Sequence, residues 1–336
     1  MTANENGAPS VGVIVPVYRA EPYLRECLNS LAAQTHTHFT VWLIDDASPD
    51  GSGAICDEFA AKDGRFRVIH KSVNAGVSAA RNDGLAAATG DYICFVDADD
   101  WVEPDYIESL LETVRTTGAD VGVCGWRIHD RPDGQTRGGE AGANRLLTPH
   151  EALRFANDIG HSFEGYVWNK LFPASIFRET EDGAPRFRFR KSYAICEDLL
   201  LVSEIFASGR TAFYTPRQLY HYRCRASSAL RTFDEKRMSE YAARERIAAI
   251  CEKADPTGEL AAIAELSHVK SALNNLAAAR TAHDRKTDKA MRERIDSRLW
   301  KLLTARCLPR YERLKLLVRR AAPVWSLRLW KRGRQA

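Results

Sequence analysis

Apolar runs and amphipathic stretches alternate along the first part of the chain. Val11–Val17 is a continuous apolar run rich in β-branched residues, which is typical of a strand buried on both faces. Further strands are predicted at Thr40–Ile44, Arg67–His70, Tyr92–Val96 and Val121–Cys124, and helices after Glu21, after Gly51, between Asn74 and Gly90, and after Pro104. Strands that alternate with helices predict an α/β fold, with a mostly parallel central sheet flanked by helices and right-handed crossovers.

The pattern changes in the second half of the chain. Asp130–Gly142 is rich in Gly, Arg and Asp and is predicted to be an exposed loop or hairpin. Thr148 and Glu151 have the spacing of a capping box before a helix. Leu219–Arg225 is the last strand-like segment, and only helices are predicted from Phe233 onward.

Acidic residues follow directly after the predicted strand Tyr92–Val96. Asp97, Asp99 and Asp100 therefore lie at the carboxyl end of a buried strand, where open α/β sheets bind ligands. These carboxylates would repel one another and raise one another's pKa unless a cation neutralised them. Mg²⁺ and Mn²⁺ prefer oxygen ligands, and Mg²⁺ commonly binds together with substrate phosphates. The pattern predicts a metal and a phosphorylated ligand; the alternative is a solvated acidic loop that caps the next helix.

The composition is that of a soluble globular protein, because 45% of the 336 residues are hydrophobic and 27% are charged. The length allows one large or two ordinary domains. The N-terminus has no signal-peptide pattern, and no apolar run approaches the ~20 residues of a membrane span. The eight cysteines occur singly, without a Cys-x-x-Cys pair, which favours reduced thiols in the cytoplasm over a disulfide framework or a zinc site.

Six segments of the chain together resemble the family 2 glycosyltransferases of GT-A fold. They are VGVIVPVYRAEPYLRECLNSLAAQT, IDDASPDGS, NAGVSAARNDGLAAATGDYICFVDADDW, VWNKLF, CEDLLL and YHYRCRASS, and their order and spacing carry the resemblance over residues 10–230. The resemblance implies a catalytic domain at residues 1–230. Its nucleotide-sugar half would span residues 10–125 and its acceptor and base half residues 126–230, followed by a helical, basic region at residues 231–336.

The resemblance implies a nucleotide-sugar donor site in the first half. The early strand and the loop after it would line the nucleotide base, and Asp46 would hydrogen-bond the uracil or ribose, although loop or helix capping is an alternative for this residue. Arg223 suits a diphosphate because a guanidinium can bind it bidentately. The full implied donor-binding set is Pro16, Val17, Tyr18, Asp46, Arg81, Asp97 and Arg223.

The resemblance also assigns the metal ligand and the base. Asp99 would bind Mn²⁺ or Mg²⁺, and Asp198 would be the general base that deprotonates the acceptor hydroxyl, with inversion at the sugar. The start of a helix favours the ionised forms of Asp198 and Glu197 and should oppose a large upward shift of their pKa; the alternative is a pair of capping acids. The residues implied to contact the acceptor or to support the site are Glu197, Trp168, Lys170, Asp100 and His221.

Three of these supporting residues have specific expected contacts. Trp168 would stack on a sugar ring, with a core position as the alternative. Lys170 would contact phosphate or acceptor, or form a salt bridge. Asp100 would assist the metal through a water molecule.

The end of the chain is strongly basic. Residues 300–336 contain eleven Lys and Arg against one Glu. Apolar residues also recur there on one face of a predicted helix, and a basic amphipathic helix with tryptophans indicates contact with a membrane surface. The alternatives are a helical cap packed on the catalytic domain or a homodimer contact, with the arginines in solvent. No nucleic-acid-binding motif accompanies the charge, so nucleic acid is not an expected partner. The residues of this apolar face are Tyr311, Leu314, Val318, Ala321 and Trp325.

The predicted function is an inverting, metal-dependent glycosyltransferase that moves a sugar from a UDP-sugar to a hydroxyl of a surface polysaccharide or lipid-linked glycan. Its predicted location is the cytoplasm, either free or peripheral on the cytoplasmic face of the inner membrane. One alternative is a sugar-phosphate nucleotidyltransferase, but that enzyme would need an early glycine-rich, basic phosphate loop, and Val11–Ala20 contains only Arg19 as a cation. A non-catalytic sugar-nucleotide-binding protein is the other alternative, and the intact acidic residues argue against it.

Overall fold

The computed structural model of the protein describes residues 7–129, 137–138, 143–158, 163–178, 187–224 and 235–324. Most of the predicted loop Asp130–Gly142 lies outside these residues. Residues 325–336, which include Trp325, also lie outside them.

The described residues form ten strands and ten α-helices. The strands are β1 Val11–Val17, β2 Phe39–Asp45, β3 Phe66–His70, β4 Tyr92–Phe95, β5 Trp101–Val102, β6 Val121–His129, β7 Arg137–Gly138, β8 Arg145–Leu147, β9 Lys170–Pro173 and β10 Ala212–Arg223. The helices are α1 Glu21–Ala32, α2 Ser52–Lys62, α3 Val77–Ala87, α4 Tyr106–Thr117, α5 Pro149–Asn157, α6 Glu197–Ala207, α7 Glu235–Ala254, α8 Glu259–Thr281, α9 Arg285–Thr304 and α10 Arg310–Ala321. Every strand and helix predicted for the first half is present, and the capping box at Thr148 is formed.

A single mixed sheet has the strand order β3-β2-β1-β4-β9-β6-β10-β5, with β7 beside β6 and β8 beside β10. Strands β1 to β4 pair in parallel, and so do β6 and β10. Strand β9 runs antiparallel between β4 and β6, and β5 and β8 run antiparallel to β10. The expected parallel pairing is therefore confirmed for β1 to β4. The prediction is corrected at β9, which is an additional strand and runs antiparallel to both of its neighbours. That strand was not predicted because it has only four residues and begins with a lysine.

Alternate residues of β1 face two separate hydrophobic cores. Val13 and Val15 pack on the side of α1, α2 and α4, whereas Ile14 packs on the side of α3, α5 and α6. Full burial of such a side chain contributes about 1.5–3 kcal/mol. The strand is thus held from both faces, as its unbroken apolar run predicted, and the sheet edge that follows it is fixed in position.

The helices α7 to α10 form a second packed unit beside the sheet. They have a core of their own, which includes Tyr241, Leu273 and Met291. Ile247 of α7 and Leu260 of α8 instead join the core on the α5 and α6 side of the sheet, so the two units share buried contacts. None of the helices in the described ranges combines the length and the apolar character needed to cross a bilayer.

Candidate active site

The acidic loops predicted from the sequence meet at the carboxyl edge of the parallel strands. The backbone N–H of Asp46, directly after β2, donates to the carbonyl of Val17 at the end of β1 (2.9 Å). The N–H of Val96, the residue before Asp97, donates to the carbonyl of Ile14 in the same strand (3.1 Å). Both loops therefore flank β1 at the edge where open α/β sheets bind ligands.

Asp46 organises the turn that precedes α3. Its carboxylate accepts hydrogen bonds from the backbone N–H groups of Ala75 (3.0 Å) and Gly76 (2.7 Å) and contacts the ammonium of Lys71 at 2.7 Å. Gly76 has a φ of +86°, a conformation that glycine adopts without steric cost. Asp46 is only 2% exposed, so its visible role is to fix this turn. A contact with the uracil or ribose stays a prediction.

The three residues predicted to line the nucleotide base differ in accessibility. Tyr18 comes directly after β1 and is 41% exposed. Pro16 is half-buried. The side chain of Val17 is completely buried in the core, so a contact of this residue with the base would use its backbone, and it stays a prediction.

The three aspartates after β4 have different environments. Asp97 and Asp99 are half-buried, whereas Asp100 is 1% exposed. The Tyr220 hydroxyl accepts a hydrogen bond from the backbone N–H of Asp97 (3.1 Å) and donates one to the Asp100 carboxylate (2.7 Å). The Asp100 carboxylate also accepts a hydrogen bond from the backbone N–H of Arg223 (2.7 Å). Burial, with the nearby charges of Asp99 and Asp97, raises the pKa of Asp100 well above its ordinary value. Asp100 therefore holds the loop, and its action on a metal through water stays a prediction.

Arg223 wraps around the same loop. Its Nε donates to the carbonyl of Asp99 (3.0 Å), and its guanidinium lies over the Trp101 ring at 4.6 Å and pairs with Glu26. The side chain is 15% exposed. It is thus already positioned beside the predicted metal ligand, and its contact with a diphosphate stays a prediction.

His221 takes part in a chain of polar side chains that runs from buried to exposed positions. Its Nε2 lies 2.8 Å from Glu103 Oε1, its Nδ1 lies 2.8 Å from His129 Nε2, and its ring stacks on Trp101 at 5.0 Å. His221 is 6% exposed. These contacts give His221 a supporting place in the structure.

A single buried arginine joins the two acidic motifs. Arg81 of α3 is 3% exposed and donates to Asp97 Oδ1 (2.8 Å) and to Glu197 Oε1 (3.0 Å), with its guanidinium over the Phe189 ring at 5.2 Å. Asp97 follows β4 and Glu197 begins α6. The sequence assigned Arg81 to the donor site but did not predict the bridge, because its second partner lies 116 positions away along the chain.

Glu197 and Asp198 are carboxylates with raised pKa values. Burial and the charge of Asp198 raise the pKa of Glu197 to about 7, and burial raises the pKa of Asp198; Arg81 opposes both shifts. The start of the helix was expected to oppose such a shift, and a backbone hydrogen bond does lower the pKa of Glu197, but burial and the charge of Asp198 outweigh it. A base whose pKa is closer to the working pH is better matched to proton transfer. Both acids follow Cys196, whose φ of +65° is unusual for a residue with a side chain and turns the backbone into α6.

Trp168 lies inside an aromatic stack. It is 3% exposed, with ring centroids 4.6 Å from Tyr166 and 4.3 Å from Tyr220. This burial favours the core alternative over a sugar contact. The half-buried Tyr166 was not predicted as a site residue, and burial together with the charge of Glu164 raises its pKa. The only sequence signal for it was its position just before the VWNKLF segment.

Lys170 is completely buried and holds a loop. Its ammonium donates to the carbonyls of Phe163 (2.9 Å), Glu164 (2.7 Å) and Tyr166 (2.8 Å) and to the amide oxygen of Asn169 (2.9 Å). No ion pair to it is found within the described ranges. The structure thus gives Lys170 a supporting role in which this cage of oxygens takes the place of the expected salt bridge, and a contact with phosphate or acceptor stays a prediction.

The residues at this edge can supply only part of a metal site. In the part of the chain that the structure describes, no group of three or more His, Cys, Asp or Glu side chains is arranged to hold an ion. The half-buried carboxylates of Asp97 and Asp99 nevertheless provide hard oxygen ligands. Mg²⁺ is usually held by one or two carboxylates together with substrate phosphates and water, so these residues fit an ion that arrives with a diphosphate.

Comparison with known proteins adds to this geometry. The model of the family described as "Glycosyl transferase family 2" matches residues 12–181. EpsH of Bacillus subtilis is 34% identical over 228 residues, which is 68% of this chain and 64% of EpsH, so the match spans less than two thirds of that relative.

Two solved structures share the fold. The crystal structure of S. aureus TarS in complex with UDP-GlcNAc has a TM-score of 0.69 at 19% identity and covers 96% of this chain and 92% of that one. The mannosyltransferase PcManGT from Pyrobaculum calidifontis, in complex with GDP-Man and Mn²⁺, has a TM-score of 0.54 at 17% identity and covers 94% and 87%. At these identities the similarity shows the fold alone, and the matched part of this chain includes the helical region.

Proposed function

Because the chain belongs to glycosyl transferase family 2, we propose that it is an inverting, metal-dependent glycosyltransferase. In this proposal it moves a sugar from a nucleotide-sugar, a UDP-sugar, to a hydroxyl group of a surface polysaccharide or a lipid-linked glycan. The proposal covers the donor, the metal, the base and the stereochemistry, and each part rests on particular residues.

The observation that carries the proposal is the bridge formed by Arg81. One buried guanidinium contacts Asp97 of the donor loop and Glu197 beside the proposed base, and Asp198 is close enough to raise the pKa of that guanidinium together with Asp97 and Glu197. One side chain thus joins an acid proposed to contact the donor to the acid that precedes the proposed base. A transferase that performs a direct displacement needs this arrangement, with the donor held on one side and the acceptor deprotonated on the other.

Asp198 is the proposed general base. It would accept the proton of the acceptor hydroxyl while that oxygen attacks the anomeric carbon, and a single displacement of this kind inverts the configuration. General-base assistance typically contributes about 10²–10⁴-fold to the rate. Glu197 would remain paired with Arg81 and hold the acidic pair in place, and Tyr166 would border the acceptor side.

Asp97 and Asp99 are the proposed contacts for the donor and its cation. A bound Mn²⁺ or Mg²⁺ supplies Lewis-acid stabilisation of the charge on the leaving nucleoside diphosphate. Asp99 would hold the ion, Asp97 would orient the sugar nucleotide, and Arg223 would approach the diphosphate from the same loop. The UDP-GlcNAc bound to TarS and the GDP-Man and Mn²⁺ bound to PcManGT support this class of donor.

Two substitutions test the proposal directly. Asp99→Ala is expected to abolish Mn²⁺-dependent donor binding, measured by calorimetric titration of a panel of nucleotide-sugars with and without the metal. Asp198→Asn is expected to retain donor binding and to lose transfer by about 10²–10⁴-fold. Asp57→Asn is a matched control, because that aspartate lies on α2 with its side chain 64% exposed.

Each outcome bears on one part of the proposal. Unchanged turnover in either active-site variant would remove that residue from its role. Retained configuration at the transferred sugar would contradict inversion. Release of pyrophosphate from a nucleoside triphosphate and a sugar phosphate would instead identify a nucleotidyltransferase, and donor binding without transfer or hydrolysis would identify a binding protein.

A further inference from the structure

Helix α10 packs against the rest of the protein through its charged side. Arg319 donates to Asn274 of α8 (2.6 Å), and Arg320 pairs with Asp296 of α9 (2.6 Å). Glu312 lies 3.3 Å from Lys270 of α8. In an ordinary surface helix the apolar stripe faces the core and the charged residues face water. In α10, Leu316 is the only residue of the helix that is both apolar and buried.

The opposite side of α10 is apolar and faces solvent. Tyr311 is 59% exposed, Leu314 62%, Leu317 44% and Val318 40%. On α9, Trp300 is 75% exposed. It lies about one helical turn from Asp296 and from Leu303, which Arg320 and Arg313 of α10 contact. These five residues are more than half of the eight large hydrophobic side chains that are exposed within the described ranges. An apolar concentration of this kind marks an interaction surface. We call these five residues the α10 surface.

Positive charge surrounds the α10 surface. Lys301, Arg306, Arg310 and Lys315 are exposed beside it, and Lys315 pairs with Glu312 across one turn of the helix. Residues 300–336 contain eleven Lys and Arg against one Glu, while residues 1–299 contain 37 against 43 Asp and Glu. The charge of this end of the protein is therefore opposite to that of the remainder.

We propose that the α10 surface binds the surface of an anionic lipid bilayer. Trp300, Tyr311 and Leu314 would enter the boundary between headgroups and acyl chains, and the surrounding cations would contact the headgroups. A symmetric contact with a second copy fits less well, because the same patch on both subunits would bring the same cations together. The inference goes beyond the transfer reaction and would hold the enzyme at a membrane.

Flotation of the full-length protein with lipid vesicles tests this inference. The protein is expected to float with phosphatidylcholine vesicles that contain phosphatidylglycerol and to remain unbound with phosphatidylcholine alone. Leu314→Ser and Val318→Ser are each expected to lower the partition coefficient about tenfold, because each removes an apolar side chain from the lipid contact. Lys315→Glu is expected to lower it about fivefold or more at low salt and less at high salt.

Leu146→Ser is the matched control, since Leu146 of β8 is 55% exposed and lies away from the α10 surface. It should leave flotation unchanged. Trp300 should also shift its fluorescence to shorter wavelength with anionic vesicles, and Trp300→Phe should remove that component. Equal flotation of the wild type and the double variant Leu314→Ser, Val318→Ser would overturn the proposal. So would a protein that binds no vesicles but dissociates from a dimer when Leu314 is replaced. Because binding is the readout, neither result depends on turnover.

Discussion

The sheet edge and the C-terminal helices place charge in opposite ways. At the sheet edge, acidic side chains turn inward and are held by a buried arginine and by backbone N–H groups. In α10, arginines turn inward and bind neighbouring helices, while apolar side chains face solvent. Buried charges need partners, and both regions supply them. The difference shows that a helix or loop can bury either of its two faces, and that the partner available in the fold decides which.

Replacement of Arg81 should have the largest effect on the sheet edge. Arg81→Met leaves Asp97 and Glu197 without their shared cation. Breaking a buried ion pair in this way lowers the free energy of unfolding by about 3–5 kcal/mol. Because Arg81 lowers the pKa of Glu197 and of Asp198, its removal raises both. The base must be ionised, so the acidic limb of the kcat/KM profile against pH should move to higher pH, and kcat/KM at pH 7 should fall about a hundredfold or more.

Arg81→Lys tests the positive charge of this residue separately from the geometry of its two hydrogen bonds. Lysine retains the positive charge but cannot bind two carboxylates as a planar fork does. We expect its pH profile to stay closer to that of the wild type while kcat/KM still falls. An acidic limb at the same pH in Arg81→Met and the wild type would show that the bridge has no electrostatic influence on the base.

Replacement of Lys170 tests a buried charge that has no acidic partner within the described ranges. Lys170→Met removes the donor for three carbonyls and one amide oxygen, and unsatisfied buried polar groups cost about 1–3 kcal/mol each. The free energy of unfolding, measured by urea titration, should fall by about 4 kcal/mol or more. The exposed Lys62 of α2 gives the control Lys62→Met, which should change stability by less than about 0.5 kcal/mol. Equal stability of the two variants would contradict the role of the cage.

A smaller effect is expected from His268 in the helical region. His268 of α8 is completely buried, and neither ring nitrogen has a hydrogen-bond partner in the described part of the chain. Burial and the charges of Arg298, Arg244 and Arg294 lower its pKa to about 3. The unfolded state binds a proton below about pH 6.5, whereas the folded state does not, so stability is lost as the pH falls from 6.5 towards 3. At pH 5 the loss is about 2 kcal/mol.

His268→Phe should remove this acid sensitivity. The difference in free energy of unfolding between pH 7 and pH 5 should shrink by about 2 kcal/mol relative to the wild type. The exposed His283 provides the comparison His283→Asn, which should leave that difference unchanged. If His268→Phe retains the full acid sensitivity, the loss arises from other groups.

The elements of the sheet could be predicted from the sequence because their signals are local. The run Val11–Val17 has the same bounds in the sequence and in the structure, and the capping box at Thr148 needs only residues three positions apart. The bridge by Arg81 and the oxygen cage of Lys170 depend on residues brought together by the fold. Periodicity marks a charged residue as unusual in an apolar segment but does not identify its partner.

The orientation of α10 could not be predicted for a different reason. Periodicity showed that Tyr311, Leu314 and Val318 share one face. It did not show which face is buried, because that depends on Asn274, Asp296 and other polar groups that α8 and α9 present to the helix. Arg313, Arg319 and Arg320, which the alternative of a packed helical cap would place in solvent, are partly buried there, and the apolar residues are exposed.

The antiparallel strand β9 has a consequence for how the chain can be divided. It pairs with β4 on one side and with β6 on the other, and its residues lie some seventy-five positions after those of β4. A fragment that ended before β9 would leave β4 as an open edge, with unpaired backbone groups available to other chains. The segment predicted to bind the donor, residues 10–125, is therefore not expected to fold independently, and the two halves of the sheet should fold and unfold as one cooperative unit.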